Sequence, residues 1–209
     1  MTTRGKWLTI EGSEGVGKST QIKAISDFLT KNDIPFIRTR EPGGTFLAEQ
    51  IRELLLSAQE PLYPKTELLL LYAARCQHVY RAILPALEQG RWVICDRFND
   101  SSFAYQGGGR ELGPADIEWV DRWVLESNQP DATLILDAPA DVGLARIPDE
   151  DKDRIESEQL AFFERVREAY LLRAKNSPQR YTVVDGTQAV EQVTEEVIAW
   201  VGQWLNQPR

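Results

Sequence analysis

Residues 12–19 constrain the fold of this chain more strongly than any other segment, because they fit the pattern G-x-x-x-x-G-K-S. In order, the residues are Gly12, Ser13, Glu14, Gly15, Val16, Gly17, Lys18 and Ser19. A short apolar run precedes this segment, and apolar residues recur at helical spacing after it. A strand, a glycine-rich loop and a helix in this order are the setting of a phosphate-binding loop. The segment therefore predicts an α/β fold with an anion site after its first strand.

The chemistry of this loop follows from its residue types. Glycine allows the backbone to curl until successive N–H groups point at one anion, and the following helix adds the positive end of its dipole. Lys18 is expected to reach the β- and γ-phosphates of a nucleotide, and the Ser19 hydroxyl to ligate Mg2+. We therefore predict that the loop through Thr20 binds a nucleoside triphosphate. A glycine-rich turn without a ligand is the alternative, which the strand–helix setting disfavours.

Composition limits the partners and the location of the chain. Its 209 residues carry a net charge of −8, so the surface field should repel nucleic acids and anionic membranes. Cys76 and Cys95 form no C-x-x-C motif and lie among apolar residues, which predicts buried thiols in a reducing cytoplasm. The single histidine, His78, cannot form a zinc site alone. We see no signal peptide and no apolar run of membrane-spanning length, and we expect one cytoplasmic domain over residues 1–209.

Strand-like and helix-like segments alternate along the chain, which predicts a doubly wound sheet of five parallel strands. The predicted strands are residues 7–11, 35–40, 91–96, 132–137 and 181–184. Beyond the helix after the loop, the predicted helices are residues 45–57, 64–89, 114–127, 159–174 and 190–205. Pro85 should kink the helix over 64–89 or start a new one. Two tryptophan pairs stand at i, i+4 spacing, Trp119 with Trp123 and Trp200 with Trp204. We expect both pairs to pack inside the protein, and a surface that contacts a partner is the alternative.

Polar residues end three of the predicted strands. Glu11, Arg40 and Asp96 each stand at the carboxyl end of a strand, and open parallel sheets bind ligands beyond these ends. We therefore expect three segments to line one crevice: the glycine-rich loop, the turn after Arg40 and the turn after Asp96.

Six segments of the chain resemble bacterial thymidylate kinases, the enzymes that transfer the γ-phosphoryl group of ATP to dTMP. They are E-G-S-E-G-V-G-K-S at 11–19, T-R-E-P-G-G-T at 39–45, Y-A-A-R at 72–75, D-R-F at 96–98, A-Y-Q-G-G-G-R at 104–110 and D-R-I-E at 153–156. The resemblance is collinear from the first strand to the last helix. It implies a P-loop nucleoside monophosphate kinase architecture with a lid at about residues 146–155, the use of ATP and Mg2+, and a homodimer.

The resemblance also implies roles for individual residues. Arg97 is expected to clamp the acceptor phosphate, and Asp96 to orient Arg97 or, with Ser19, to hold Mg2+ partly through water. No general base is required, because a phosphate monoester is mostly a dianion at neutral pH and transfer depends on positioning and charge neutralisation. The residues expected to contact dTMP are Glu14, Glu41, Arg52, Leu71, Arg75, Arg97, Ser102, Tyr105 and Gln106.

The position of Glu14 can also be argued from charge alone. A carboxylate inside a phosphate-binding loop repels a nucleotide bound there. Glu14 is therefore expected to point away from ATP and toward a donor on the acceptor side.

The base contact departs from the family pattern at Leu71. Many relatives stack an aromatic ring on thymine at this position, and a leucine keeps apolar contact but loses the stacking geometry. Phe98 and Tyr72 are the two candidates to supply a ring in its place.

The lid also departs from the family pattern, because it is poor in arginine. Residues 145–154 are acidic and contain three cations, Arg146, Lys152 and Arg154, while the P-loop supplies no arginine. We predict that Arg146 and Arg154 stabilise the charge on the transferring phosphoryl group, with Lys152 as a further candidate.

Other functions remain open from the sequence. The departures at Leu71 and in the lid leave room for a kinase with a different acceptor, such as dUMP or thymidine. A P-loop switch protein that hydrolyses nucleotides slowly is disfavoured, because the chain has no N-K-x-D motif for guanine. A kinase-like protein that only binds nucleotides is disfavoured by the intact set of Lys18, Asp96 and Arg97.

Overall fold

The computed structural model describes residues 4–58, 60–148 and 154–205. Within these ranges five parallel strands form one sheet in the order β2–β3–β1–β4–β5. The strands are β1 (Trp7–Glu11), β2 (Phe36–Arg40), β3 (Trp92–Asp96), β4 (Ala132–Asp137) and β5 (Tyr181–Asp185). The central strand β1 pairs on both sides, with Leu8 opposite Ile94 of β3 and Ala132 of β4. The predicted sheet is therefore confirmed, and each strand boundary lies within one residue of its prediction.

The helices cover both faces of this sheet. They are α1 (Lys18–Lys31), α2 (Phe46–Leu56), α3 (Pro64–His78), α4 (Leu84–Glu88), α5 (Asn99–Ser102), α6 (Pro114–Leu125), α7 (Ala140–Leu144), α8 (Leu160–Asn176) and α9 (Val190–Leu205). None of the described helices is long and apolar enough to cross a membrane. The sequence did not predict α5, α7 or the π-helical segment Phe103–Gly109 that continues α5.

The segment predicted as one helix over residues 64–89 contains a change of helix type. A π-helical segment, Val79–Ile83, joins α3 to α4, and Pro85 occupies the first turn of α4. Proline has no N–H to donate within a helix, and the change of helix type lies directly before Pro85. The backbone at Val79, Ile83 and Leu84 stays in the right-handed helical region, so the helix continues through Pro85 and the expected new start is not found.

The core lies on both faces of the sheet because side chains alternate along each strand. Leu8 and Ile94 pack with α1 and α9 on one face, whereas Trp7 and Val93 pack with α3 and α6 on the other. A third cluster joins α8 to Ile135 of β4 and to the segment after α5. Burial on both faces explains why the strands read as apolar runs without a polar side.

The prediction for one tryptophan pair was wrong. Trp119 and Trp123 stack with ring centroids 5.9 Å apart, but they are 65% and 70% exposed. The buried face of α6 is filled by smaller aliphatic side chains, so both indoles face outward. Trp200 and Trp204 pack against the core as expected. The prediction for Cys76 was also wrong, because its thiol is only partly buried, whereas that of Cys95 is buried.

Candidate active site

The glycine-rich loop joins β1 to α1 and has the curled backbone that its sequence predicts. Gly15 and Gly17 have φ angles of +67° and +93°, a region that residues with a Cβ rarely adopt. A Cβ on Gly15 would also lie 1.9 Å from the carbonyl oxygen of Gly143 in α7. Gly17 immediately precedes α1, so the positive end of the helix dipole faces the loop. The loop therefore has the geometry of an anion site.

Lys18 folds back over this loop. Its Nζ donates hydrogen bonds to the carbonyl oxygens of Ser13 at 2.6 Å and Gly12 at 3.3 Å. Burial and the nearby charge of Arg97 together lower the pKa of Lys18 to about 8, although Glu14 opposes this shift. The ammonium group thus lies inside the loop, where an anion would compete with two carbonyl oxygens for its protons.

Asp96 ends β3 beside β1, and one of its oxygens lacks a partner. Oδ1 of Asp96 is buried and accepts no hydrogen bond from any residue that the structure describes. Ser19 and Thr20 are exposed in the first turn of α1. Hydroxyl and carboxylate oxygens are the donors that Mg2+ prefers. An unsatisfied buried carboxylate oxygen together with the Ser19 hydroxyl therefore fits the predicted metal.

Arg97 links the loop to the other side of the site. Its Nη1 donates to the carbonyl oxygen of Gly12 at 2.9 Å and to the Tyr170 hydroxyl at 3.1 Å, and its Nη2 donates to Oε1 of Glu14 at 2.6 Å. Arg97 has a φ of +64°, a strained conformation for a residue with a side chain. The carboxylate of Glu11 holds the turn, because its Oε1 accepts from the backbone N–H of Phe98 at 2.7 Å. These hydrogen bonds hold Arg97 and its turn in place, and despite burial the charges of Glu14 and nearby Asp96 contribute to the raised pKa of Arg97.

Glu14 faces the acceptor side, as the charge argument predicted. Its Oε1 accepts hydrogen bonds from Arg97 and from the hydroxyl of Tyr105, the latter at 2.8 Å. Burial alone would raise the pKa of Glu14, but the charges of Arg97 and Lys18 outweigh burial and lower it to about 2. The carboxylate is therefore ionised and separates two cations.

All nine residues predicted to contact the acceptor line one cavity beside the loop. They are Glu14, Glu41, Arg52, Leu71, Arg75, Arg97, Ser102, Tyr105 and Gln106. The cavity is walled by α2, by α3 and by the turns that follow β2 and β3, and Ile155 and Glu156 line it as well. The structure thus brings the predicted set together, while the role of each member in binding stays a prediction.

Arg75 is held rigidly in this cavity wall. Its Nε donates to Oε2 of Glu41 at 2.6 Å, its Nη1 to the Ser102 hydroxyl at 2.9 Å and its Nη2 to the carbonyl oxygen of Phe98 at 3.0 Å. The Tyr72 ring lies under the guanidinium, with the ring centroid 4.4 Å from Cζ. Arg75 and Glu41 are both buried, so Glu41 is not an exposed turn charge.

The two candidate rings for the base differ in position. The Tyr72 hydroxyl donates to Oδ1 of Asp121 at 2.8 Å, and Tyr72 does not line the acceptor cavity, which excludes it as a substitute for the ring missing at Leu71. Phe98 does line that cavity. The Phe98 ring is nevertheless completely buried and packs against Trp7, so neither candidate ring is exposed to the cavity.

Comparison with known proteins identifies the family. A family model described as thymidylate kinase matches residues 10–197. The chain belongs to the thymidylate kinase family. It is 49% identical to a thymidylate kinase from Vesicomyosocius okutanii over 93% of this chain and 96% of that one. It is 48% identical to a thymidylate kinase from Chromohalobacter salexigens over 97% and 98% of the two chains.

A solved structure of this family has the same fold. The crystal structure of thymidylate kinase from Ehrlichia chaffeensis matches with a TM-score of 0.77 and 34% identity, and the match covers 95% of this chain and 99% of that one. The P-loop nucleoside monophosphate kinase architecture expected from the sequence is therefore confirmed.

The two lid arginines of this thymidylate kinase family member lie in different places. Arg146 donates to the carbonyl oxygens of Gly15 at 3.3 Å and Gly186 at 3.1 Å, beside the P-loop. Arg154 instead donates to Oε2 of Glu67 at 2.6 Å and to the carbonyl oxygen of Leu55 at 3.0 Å. Arg154 would have to leave these partners to act on ATP. Lys152 and Asp153 lie outside the described residues.

Three polar residues of this family member's site were missed by sequence reasoning. Tyr170 packs in the buried face of α8, and its hydroxyl donates to Glu11 at 2.8 Å and accepts from Arg97. Glu67 accepts from Gln106 at 2.7 Å, and His78 bonds Glu41 at 3.0 Å. Their partners are distant in sequence, and no local pattern pairs them. One signal in the sequence could have pointed to these contacts. It was the prediction that the strand ends, including Glu11, line a single crevice.

Proposed function

We propose that this protein transfers the γ-phosphoryl group of ATP to dTMP, giving ADP and dTDP for dTTP synthesis. The observation that carries the proposal is the position of Arg97, which bonds the P-loop at Gly12 and Glu14 and also lines the acceptor cavity. A donor nucleotide on the loop and an acceptor in the cavity would meet at this guanidinium. Membership of the thymidylate kinase family supports the same reaction.

The residues of the site divide the work between the two nucleotides. The loop from residue 12 to Thr20 would hold the ATP phosphates through backbone N–H groups and Lys18. Arg97 would bind the acceptor phosphate with its planar fork, and that phosphate needs no base because it is already a dianion. Bound Mg2+ would neutralise phosphate charge, and Ser19 and Asp96 are the residues that would hold it, partly through water. Arg146 lies beside the loop on the donor side.

The opposite end of the cavity suits a pyrimidine with a carbonyl group. Arg75 donates one hydrogen bond to each of its three partners, and its guanidinium has further N–H groups that can donate to an oxygen acceptor. An arginine can only donate, so it favours a carbonyl oxygen over the amino group of cytosine. Leu71 would supply apolar contact to the base, and Tyr105 would pack near the sugar.

We further propose that two copies of the chain form a homodimer through α3 and α6. Trp119 and Trp123 are exposed on α6. Leu69 is exposed on α3, and Tyr80 is exposed on the π-helical segment that follows α3. An apolar groove runs between these helices, and exposed apolar surface of this kind marks protein contacts. Light scattering should report a dimer, and the double variant Trp119→Glu/Trp123→Glu should be monomeric with its helical circular dichroism retained. A monomeric parent protein would refute the proposal.

The reaction is tested by a coupled assay for ADP. The purified protein is supplied with ATP and Mg2+ and with dTMP, dUMP or thymidine in parallel, and Lys18→Met controls for contaminating kinases. We expect ADP formation with dTMP to exceed that with dUMP or thymidine. Equal or faster turnover of another acceptor would favour the related kinase that the departure at Leu71 left open. Absence of ADP in every reaction would overturn the proposal.

A further inference from the structure

His78, the single histidine of the chain, lies one layer behind the acceptor cavity. It is in the last turn of α3 and is completely buried. Its Nδ1 lies 3.0 Å from Oε1 of Glu41, and its Nε2 lies 2.6 Å from the hydroxyl of Thr39. The turn after β2 closes over the ring so tightly that a Cβ on Gly44 would lie 2.4 Å from Nε2. The ring is therefore held by a hydrogen bond at each nitrogen and is closely covered by the turn at its Nε2 edge.

The two oxygens of the Glu41 carboxylate each contact a different neighbour. Oε1 faces His78, and Oε2 accepts from Nε of Arg75 at 2.6 Å. An ionised carboxylate can only accept, so Nδ1 of His78 must carry the proton that joins them. The charge of Arg75 and the hydrogen bond from His78 outweigh burial and lower the pKa of Glu41, which keeps the carboxylate ionised.

Arg75 connects the His78–Glu41 hydrogen bond to the cavity wall. Its Nη atoms are fixed by Ser102 and by the carbonyl oxygen of Phe98, and its Nε is fixed by Glu41. Without the donor on His78, Oε1 of Glu41 would be buried without that partner, and the carboxylate would turn to find another. Such a turn would carry the guanidinium of Arg75 away from the position it now holds in the cavity wall.

We propose that His78 is a positioning residue for acceptor recognition, because its Nδ1–H holds Glu41, which in turn fixes Arg75 against the base. The inference rests on the proposed function, since it assumes that the base of dTMP occupies this end of the cavity. It assigns His78 no contact with either nucleotide and no proton transfer.

Two substitutions of His78 distinguish the role of Nδ1 from that of Nε2. Asparagine can place an amide N–H near the position of Nδ1, whereas glutamine places one near Nε2. We expect His78→Asn to keep KM for dTMP within about threefold of the parent value, and His78→Gln to raise it about tenfold, which corresponds to about 1.4 kcal/mol. KM for ATP should change less than about twofold in both, because the P-loop does not touch His78. Thr39→Val, which removes only the partner of Nε2, should resemble His78→Asn.

The results distinguish positioning from a purely structural role. Equal increases in both KM values, or equal effects of Asn and Gln, would overturn the inference. Activity of the parent protein with dTMP is measured in the same series, so a failure of the proposed function appears there and not in the ratio between variants.

The unsubstituted protein provides a second test that does not depend on variant folding. Long-range proton–nitrogen correlation spectra of protein labelled with 15N-histidine contain one imidazole, so no assignment is needed. We expect a proton on Nδ1, and we expect its resonance to shift on addition of dTMP and not on addition of a non-hydrolysable ATP analogue. An imidazole protonated on Nε2 alone would overturn the inference, and so would one that is insensitive to dTMP in protein shown to phosphorylate dTMP.

Discussion

The two ends of the acceptor cavity each carry an arginine–glutamate pair, and the pairs differ in their access to solvent. Arg75 with Glu41 and Arg97 with Glu14 both have N–O distances of 2.6 Å. The side chains of the first pair are 2% and 3% exposed, whereas those of the second are 14% and 18% exposed. Distance alone would make the pairs equivalent, and burial separates them.

The difference suggests two uses of the same interaction. We call Arg75 with Glu41 the sealed pair and Arg97 with Glu14 the open pair. Breaking a buried pair leaves an uncompensated charge, so we expect the sealed pair to keep one geometry before and after ligands bind. Glu14 in the open pair separates Arg97 from Lys18, two cations that would otherwise repel each other. A phosphate entering the cavity can take over that task. We therefore expect the sealed pair to act as a fixed template and the open pair to exchange partners.

The largest expected effect comes from removing the arginine of the open pair. Arg97→Ala should lower kcat/KM for dTMP about a thousandfold, because the acceptor phosphate loses its charged donor. Arg97→Lys keeps the charge but not the planar fork, and it should recover about tenfold of this loss. Steady-state kinetics with dTMP varied at saturating ATP measures both. An alanine variant within tenfold of the parent enzyme would show that Arg97 does not clamp the phosphate.

Removing the glutamate of each pair should separate the two uses by thermal unfolding. Glu41→Gln should lower Tm by about 10 °C, because it leaves Arg75 buried without its counter-charge. Saturating dTMP should then raise Tm less than in the parent protein. Glu14→Gln should lower Tm less, and dTMP should raise it more than in the parent, since the phosphate replaces the missing negative charge. Equal responses of the two variants to dTMP would refute the distinction between sealed and open pairs.

The pH dependence of stability gives a smaller test of the open pair. The pKa of Glu14 is about 2 in the folded protein and near 4.5 when unfolded, so its stabilisation is complete above pH 4.5 and is lost as pH falls toward 2. Between pH 6 and pH 3 the parent protein should lose about 2 kcal/mol that Glu14→Gln does not lose. Urea unfolding of both proteins at these two pH values measures the difference. A constant difference would mean that Glu14 does not titrate as the pair requires.

The sequence predicted the parts of this cavity that depend on local pattern or on family motifs. The strands were found because buried parallel strands are short apolar runs. Six of the nine cavity residues stand in segments that resemble thymidylate kinases, and the collinear resemblance implied the other three, Arg52, Leu71 and Ser102. His78 was missed because its partner Glu41 is 37 positions away, and a buried histidine has no periodicity of its own. Trp119 and Trp123 were misplaced because an apolar stripe on a helix does not reveal whether it faces the core or the protein surface.

Arg154 allows the comparison to be extended to a third pair. Arg154 lies 2.6 Å from Glu67, and the two side chains are 19% and 1% exposed, so the arginine is as open as Arg97 while the glutamate is sealed. If open arginines exchange partners, Arg154 can leave Glu67 for the transferring phosphoryl group. Arg154→Ala should then lower kcat at least about tenfold with little change in dTMP binding.

The control for Arg154 is its partner. Glu67→Gln keeps Arg154 and the shape of the wall but weakens the bond between them, so kcat should fall less than in Arg154→Ala. Single-turnover rates and equilibrium binding of dTMP separate the two quantities for both variants. Unaltered turnover in Arg154→Ala would remove this residue from the mechanism. A loss confined to dTMP binding would mean that Arg154 stays on Glu67 during turnover and belongs, like Arg75, to the fixed template.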